Sequence, residues 1–410
     1  MARQTGSSDG QSQMGWHGVP VVSWLLCAGL VAACGEGTSP KAATWTTLAA
    51  GNAVTCGLAV NGVGYCWGEN AAGQLGDSST TQRTVPVAVA GGLTFGTLIV
   101  GGGNTCGLTG GGAAYCWGAG GYSGLGVADT ANGHPNRSTP GAVSGGLTFA
   151  SLTVGGAHTC GVTSAGAAYC WGYDDYGQLG DSSLYAVRYT PVPVTGGLTF
   201  ASLTAGFMHT CGVTSSGAAY CWGLAEVGAL GDGQSNPTCY GFMAFPDEPC
   251  SKSPVTVAGG LTFTSLTAGF GHTCGLTPGG AAYCWGDNTS GQLGDGSMTR
   301  RFTPVAVAGG LTFASLTAGQ LHTCGLTSGG AAYCWGDNIH GELGDGSTTQ
   351  CLTPVAVTGG LTFASLMAGW THTCGLTSGG VAYCWGDNTY GELGDGSTTQ
   401  RLVPVAVGKL

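Results

Sequence analysis

Two cysteines separated by nine residues, the second followed by Trp-Gly, recur seven times in this chain, and no other feature limits its fold as strongly. The clearest copy, HTCGLTPGGAAYCWGDN, runs over residues 272–288 and returns almost unchanged at 322–338 and 372–388. Looser copies begin at Val54, Asn104, His158 and His209. The pairs are Cys56 with Cys66, Cys106 with Cys116, Cys160 with Cys170, Cys211 with Cys221, Cys274 with Cys284, Cys324 with Cys334 and Cys374 with Cys384. Their first members are 50, 54, 51, 63, 50 and 50 residues apart. A period near fifty built from short apolar runs means an array of like units, each unable to bury its apolar face alone. Length by itself suggests two or three domains; the repeat predicts one closed body instead.

One unit, residues 304–353, shows the expected elements. PVAV (304–307) opens with Pro, which a strand start tolerates. A Gly309-Gly310 turn leads to FASLTA (313–318), then HTCGLT (322–327), a Ser-Gly-Gly turn, and AAYCWG (331–336). A long polar connection, 337–353, follows. Four short antiparallel strands per unit predict an all-β, seven-bladed β-propeller spanning 45–410, with a linear solenoid as the alternative. The first unit lacks a PVAV strand, and Val403–Val407 is left over at the other end. Closure is therefore expected by pairing of the N- and C-terminal segments, with Val403–Val407 completing the blade begun at 45–67.

The motif Ala268-Gly269-x-x-His272-Thr273, then Tyr283-x-Trp285-Gly286, then Gly291-Gln292-Leu293-Gly294 resembles the regulator-of-chromosome-condensation (RCC1-like) repeat over about 45–407. The resemblance implies a seven-bladed propeller, and it makes the recurrent His (158, 209, 272, 322, 372) a packing residue. The departure is the cysteine after His-Thr, where the family pattern usually has an apolar residue.

Of 19 cysteines, seven pairs fall opposite each other on the two strands of a hairpin centred on glycine. Cys239 and Cys250 form an eighth expected pair, and Cys351 is left over. An oxidising compartment would bridge them. The amino terminus supplies that address. Residues 19–33 form an apolar run of signal-peptide size, ending in Val31-Ala32-Ala33-Cys34, which resembles a bacterial lipobox. The expectation is a signal peptide over 1–34, lipidation at Cys34, and a flexible tether over 35–44. Gly35 rather than Asp after the cysteine implies the outer membrane if the cell is diderm. Arg3 is the sole Lys or Arg of the leader, and Met14 is an alternative start.

Beyond residue 34 the chain carries 19 acidic and nine basic side chains, so phosphate backbones are repelled and nucleic acid is not an expected partner. The Asp- and Gly-rich loops lack the EF-hand ligand spacing, so no metal and no cofactor are expected, and Asx turns explain them better. Asp174-Asp175 and Asp247-Glu248, adjacent in sequence, are poorly placed as concerted acid–base pairs.

Successive connections in an antiparallel blade alternate between two faces. The AGGLTF and TSGGAA connections share one face and barely vary. The AGxxH and post-Trp connections share the other and vary most, carrying Phe207, Met208, Phe270, Trp370 and Tyr390. A spacing of 63 between Cys211 and Cys274 marks an insertion on this variable face, with Tyr240, Phe242, Met243 and Phe245. Aromatics gathered on one face suggest a binding surface. The expectation is a monomeric, non-enzymatic envelope module that binds a protein, or secondly a glycan, and meets the membrane only through its anchor. The alternative is an exported propeller hydrolase or lyase.

Overall fold

The structure is a computed structural model and describes residues 44–409 apart from 122–123, 129–133, 185, 235–237 and 240–247. The described residues form seven antiparallel sheets and no helix. We number them blades 1 to 7: residues 45–88, 97–142, 151–193, 200–256, 265–306, 315–356 and 365–406. Blade 6 is typical, with strands Ser315–Ala318, His322–Leu326, Ala332–Gly336 and Cys351–Ala356 paired in chain order. The first strand lies at the axis, because the last residues of all seven first strands line one central cavity. Blade 4 adds a short fifth strand, Thr238–Cys239, paired to Glu248–Thr256.

Each second strand is buried along its length, for example His322–Leu326. Each third strand buries Cys, Trp and Gly, and seven tryptophans (67, 117, 171, 222, 285, 335, 385) are wholly inaccessible. The Trp packs on a Phe that precedes or opens the first strand of its own blade, as in Phe313 on Trp335 at 5.7 Å between ring centroids. In blade 1, Trp45 takes the Phe place against Trp67, also at 5.7 Å.

Two expectations need correction. PVAV is not the first strand of a unit but the outer strand of the preceding one, and it begins three residues earlier, at Arg301 in blade 5. It pairs with the Trp-Gly strand through Tyr283↔Ala306 and Gly286↔Arg301, with a bulge between. Pro304 sits in that bulged edge, where its missing N–H costs no ladder bond. The Gly309-Gly310 turn therefore carries the chain between blades, and Leu311 and Phe313 pack with Leu276 and Trp335 on the way.

The second correction follows from the first. Val403–Val407 does not complete blade 1, because Arg401–Ala406 pairs with Ala382–Gly386 of its own blade. Blade 1 has its own outer strand, Arg83–Ala88. The terminal blades meet side by side. Trp45 N donates to Gly380 O (2.9 Å), Trp370 N to Gly51 O (2.9 Å), and Trp67 Nε1 to Glu392 O (2.9 Å). Trp45, Leu48 and Trp67 share a buried cluster with Leu376, Ala382 and Leu393. Seven equivalent lateral interfaces leave no raw gap, so no exchanged strand is needed.

All seven hairpin cysteine pairs are bonded within their own blades. In blades 1 to 3, Cys56 is bonded to Cys66, Cys106 to Cys116 and Cys160 to Cys170. In blades 4 to 7, Cys211 is bonded to Cys221, Cys274 to Cys284, Cys324 to Cys334 and Cys374 to Cys384. Their Cα atoms are 4.0–4.1 Å apart. Each pair stands in direct register across its hairpin, so no bulge shifts the alignment set by the turn. Cys239 is bonded to Cys250 and Cys351 is free. Cys34 and the leader, Tyr240, Phe242, Met243, Phe245 and Asp247 lie outside the described residues.

Candidate functional site

Blades are joined by a repeated polar clasp. The carbonyl of Glu342 in blade 6 accepts from Trp385 Nε1 (2.8 Å) and Thr373 Oγ1 (2.9 Å) of blade 7. His322 Nε2 reaches that same threonine at 2.9 Å. Because the Thr hydroxyl donates to the carbonyl, the histidine must donate through Nε2. The same contact joins His158 to Thr210, His209 to Thr273, His272 to Thr323 and His372 to Thr55, the last across the ring closure. Burial drives these imidazoles down to about 3 or 4, so they are neutral. Their rings stand one per blade and hold blades together. The glycine three residues before each is dictated by that ring: a Cβ on Gly319 would lie 2.3 Å from His322 Cε1.

The Asp-Asn loops are self-contained. Asn338 Nδ2 donates to Ser347 O and Thr349 O, and its Oδ1 accepts from Leu343 N. Asp395 accepts from Ser397 and Arg401, and despite burial those bonds hold its carboxyl below the usual range. Asp174 is buried in the Asn position, accepting from Leu179 N and Ser183 Oγ, and burial lifts it to about 7. Asp175 instead accepts from Tyr173 Oη at 2.5 Å, so the two adjacent aspartates sit in different surroundings and do not act as a pair. Among the described residues no three His, Cys, Asp or Glu are grouped to hold a metal.

The AGxxH connections converge on the axis. Seven Ala-Gly or Val-Gly steps, from Ala50-Gly51 round to Ala368-Gly369, ring a cavity of about 130 Å³. The amide of the glycine in each of these steps bonds within its own blade, as Gly319 N does to His322 O (2.9 Å), whereas Gly102 N and Gly156 N donate to Gly155 O and Gly206 O of the next blade. Phe207 of blade 4 stacks on Phe270 of blade 5, with centroids 4.1 Å apart. Trp370 of blade 7 meets them edge-on at 5.7 and 6.1 Å. Three of the singled-out residues, far apart in sequence, thus form one aromatic cluster at the mouth, and Phe270 is 38% exposed. The same mouth is bare at blades 2 and 3, where Gly102 and Gly156 take the equivalent place.

Met208 does not join the cluster. It packs at the root of the insertion with Tyr176, Leu224 and the Cys239–Cys250 bridge. Tyr390 stands on the post-Trp loop of blade 7 and is 41% exposed. The structure adds a feature that the sequence reading missed. The residue after each Trp-Gly bonds through its amide to the AGxxH loop, as Asp337 N does to Leu321 O and Glu69 N to Ala53 O. It thereby forms a second circle around the mouth. The signal was the identity of that residue: Glu69, Ala119, Tyr173, Leu224, Asp287, Asp337 and Asp387.

Two sequence models of the regulator of chromosome condensation (RCC1) repeat match the chain. One matches residues 149–178, 263–292, 313–342 and 364–392, the other 165–213, 279–326, 329–376 and 379–410. Together they span just over half of it. The chain belongs to the RCC1-repeat family. It is 29% identical over 163 residues to the ultraviolet-B receptor UVR8 of Arabidopsis thaliana, covering 39% of this chain and 34% of that protein. The matched part is thus about a third of that relative's length. Among solved structures, human WBSCR16 superposes with a TM-score of 0.73 at 20% identity, over 84% of this chain and 94% of that one. Prp20p of Saccharomyces cerevisiae gives 0.67 at 20% identity, over 79% and 80%. The structural likenesses carry the RCC1-type propeller fold, and the repeat's His-Thr and Trp-Gly residues are the ones that clasp blade to blade here.

Proposed function

We propose that this chain is a non-enzymatic binding module that recognises a protein partner through the face bearing the AGxxH and post-Trp loops. The observation that carries the reading is the Phe207–Phe270–Trp370 cluster, built from three blades at the channel mouth. Aromatic side chains packed together and partly exposed near the centre of a surface are the usual anchors of protein interfaces. Among the described residues the five repeat histidines are buried and neutral, and Asp77, Asp181, Asp295 and Asp395 are held by their own turns and arginines, so these groups are not free for acid–base work. The related fold of Prp20p, described with its binding to Gsp1p and histones, adds support by analogy.

The module is read as exported, lipidated at Cys34 and tethered to the envelope, in the outer membrane if the cell is diderm. The eight disulfides accord with export. Globomycin should make the precursor accumulate, and a Cys34→Ser protein that still takes up palmitate would overturn the anchor. The Cys239–Cys250 bridge packs against Met208 of the AGxxH connection, and the residues Tyr240, Phe242 and Phe245 of the insertion are read as a specificity element. Replacing residues 240–247 with Gly-Ser-Thr-Thr-Gln, which keeps the Cys239–Cys250 bridge and the strand pairing of Cys250 and Ser251, should remove binding and leave melting unchanged. For the face itself, Phe270, Trp370 and Tyr390 changed to Ser should release the envelope partner from a pull-down without altering the melting temperature. Retention undiminished in that variant would refute the reading.

A further inference from the structure

The binding face is not uniform around its seven blades. The large apolar side chains exposed on its AGxxH and post-Trp connections are Phe270 and Met298 (53%) of blade 5, Ile339 (63%) of blade 6 and Tyr390 (41%) of blade 7; half-buried Trp370 is also on blade 7, and Phe207 of the aromatic cluster stands at the sector's edge on blade 4. The carboxylates that directly follow Trp-Gly occupy the same sector, while Asp175 of blade 3 and Glu226 of blade 4 lie further along their loops. Of the seven positions following Trp-Gly, blades 5, 6, 7 and 1 have Asp287, Asp337, Asp387 and Glu69, whereas blades 2, 3 and 4 have Ala119, Tyr173 and Leu224. All four carboxylate residues are half-buried on the rim.

Little cationic charge offsets them. Arg300 reaches Asp287 at 3.3 Å. Arg83, Arg301 and Arg401 are occupied with Asp77, Asp295 and Asp395. Two further acids, Glu342 and Glu392, are buried beneath the sector and raised to about 7, first by burial and then by Asp337, Asp387 and Glu69 beside them. The mouth next to them offers acceptors on the same side: the carbonyls of Gly51, Gly101, Gly155 and Gly206 each take an amide from a neighbouring blade, whereas among the described residues no neighbouring blade's amide donates to those of Gly269, Gly319 and Gly369 in blades 5, 6 and 7.

We infer that blades 5, 6, 7 and 1 form the docking sector, and that its occupant is a protein segment in which Lys or Arg side chains flank an apolar residue. The apolar residue lies on Phe270, Trp370, Ile339 and Tyr390. A basic side chain enters the mouth, where carbonyls accept its protons and the Trp370 and Phe270 ring faces attract its charge. Charge complementarity selects this occupant. A second copy of the chain, a nucleic acid or an anionic lipid surface would each bring more negative charge against the sector. The inference rests on the proposed binding face and narrows it to one sector and one partner chemistry.

A library of random twelve-residue peptides displayed on phage, selected against the full chain, tests it. Enriched peptides should carry Lys or Arg beside an apolar residue. Resynthesised, they should bind at least about tenfold more weakly in 500 mM than in 50 mM NaCl, because exposed charge pairs are screened. Asp337→Lys should weaken them at least about tenfold and Asp387→Asn measurably, while Ser328→Lys on the opposite face should change nothing. Neutral or acidic binders, or binders indifferent to Asp337→Lys, would overturn the inference. If those binders were still lost in the Phe270→Ser, Trp370→Ser variant, the face would stand and only the basic partner would fall. Indifference to both sets would overturn the face as well.

Discussion

Replacing His158 by Asn should make the protein weaker near neutral pH and stronger in acid. His158 is fully buried, donates to Thr210 at 2.8 Å, and has no partner at Nδ1. Burial lowers it to about 3, against an ordinary value near 6.5. Between those values the unfolded chain holds a proton that the folded chain does not. Stability therefore falls with falling pH by about 1.4 kcal/mol per pH unit for this one group. Asn is a native solution at the equivalent site of blade 2, where Asn104 Nδ2 donates to Gly124 O at 3.3 Å. In blade 3 the corresponding carbonyl, Gln178 O, already accepts from Thr210. The substitution should cost about 2 kcal/mol at pH 7.5, from the lost bond and the smaller side chain. Below pH 6.5 the deficit should shrink, vanish near pH 5 and become an advantage of about 1.4 kcal/mol at pH 4. Asp174, Glu342 and Glu392, raised to about 7, contribute with the opposite sign but are common to both proteins and cancel. Urea unfolding with the disulfides intact, at half-unit steps from pH 7.5 to 4, measures the difference. A deficit constant with pH would show that His158 is not held neutral by burial, and the clasp as described would be wrong.

Other consequences follow from single contacts. Changing Cys324 and Cys334 together to Ala opens a loop of ten residues' separation and should cost about 3 kcal/mol on the chain-entropy model, read as a lower urea midpoint. Cys351 stands where blade 7 has Arg401, which bonds Asp395 at 2.6 Å; Cys351→Arg should give Asp345 the same partner and raise stability by up to about 1 kcal/mol. Gly319→Ala should lower the melting temperature sharply, since the new methyl would lie 2.4 Å from Gly369 O as well as on the His322 ring. The same change at Gly309, with nothing within 4 Å, should cost only its left-handed backbone strain.

The blade count, the hairpin register and the cysteine pairing were legible because they are local. Cys324 and Cys334 face each other across a turn whose length and glycines set the alignment, and Cys56 with Cys66 or Cys374 with Cys384 repeat it at the two ends of the ring. The phase of the blade was not legible. The run at 304–307 has a third-strand neighbour before it and a first-strand neighbour after it, and its apolar pattern suits either. The choice is made by the bulged pairing of Gly286 with Arg301 and by the Arg301–Asp295 contact, neither of which has a periodic signal. Closure was misread for the same reason: a unit boundary placed before PVAV creates an orphan strand that the true boundary does not have. At the site, the variable residues were visible but not their convergence. Phe207 and Trp370 are far apart along the chain and meet only because every AGxxH loop points at the axis. The acidic sector was missed because its members, one per blade, make a pattern only when the blades are set in a ring.

The claim that one face of the ring does the binding is tested most directly by photocrosslinking in the cell that makes the protein. A benzophenone amino acid placed in turn at Phe270, Ile339 and Tyr390, and at Ser328 and Ser378 in the turns of the opposite face, reports which side meets a partner. The account predicts one discrete adduct of the same mass increment from the first three positions and none from the last two. Adducts from Ser328 and Ser378, with none from Phe270, Ile339 or Tyr390, would contradict it.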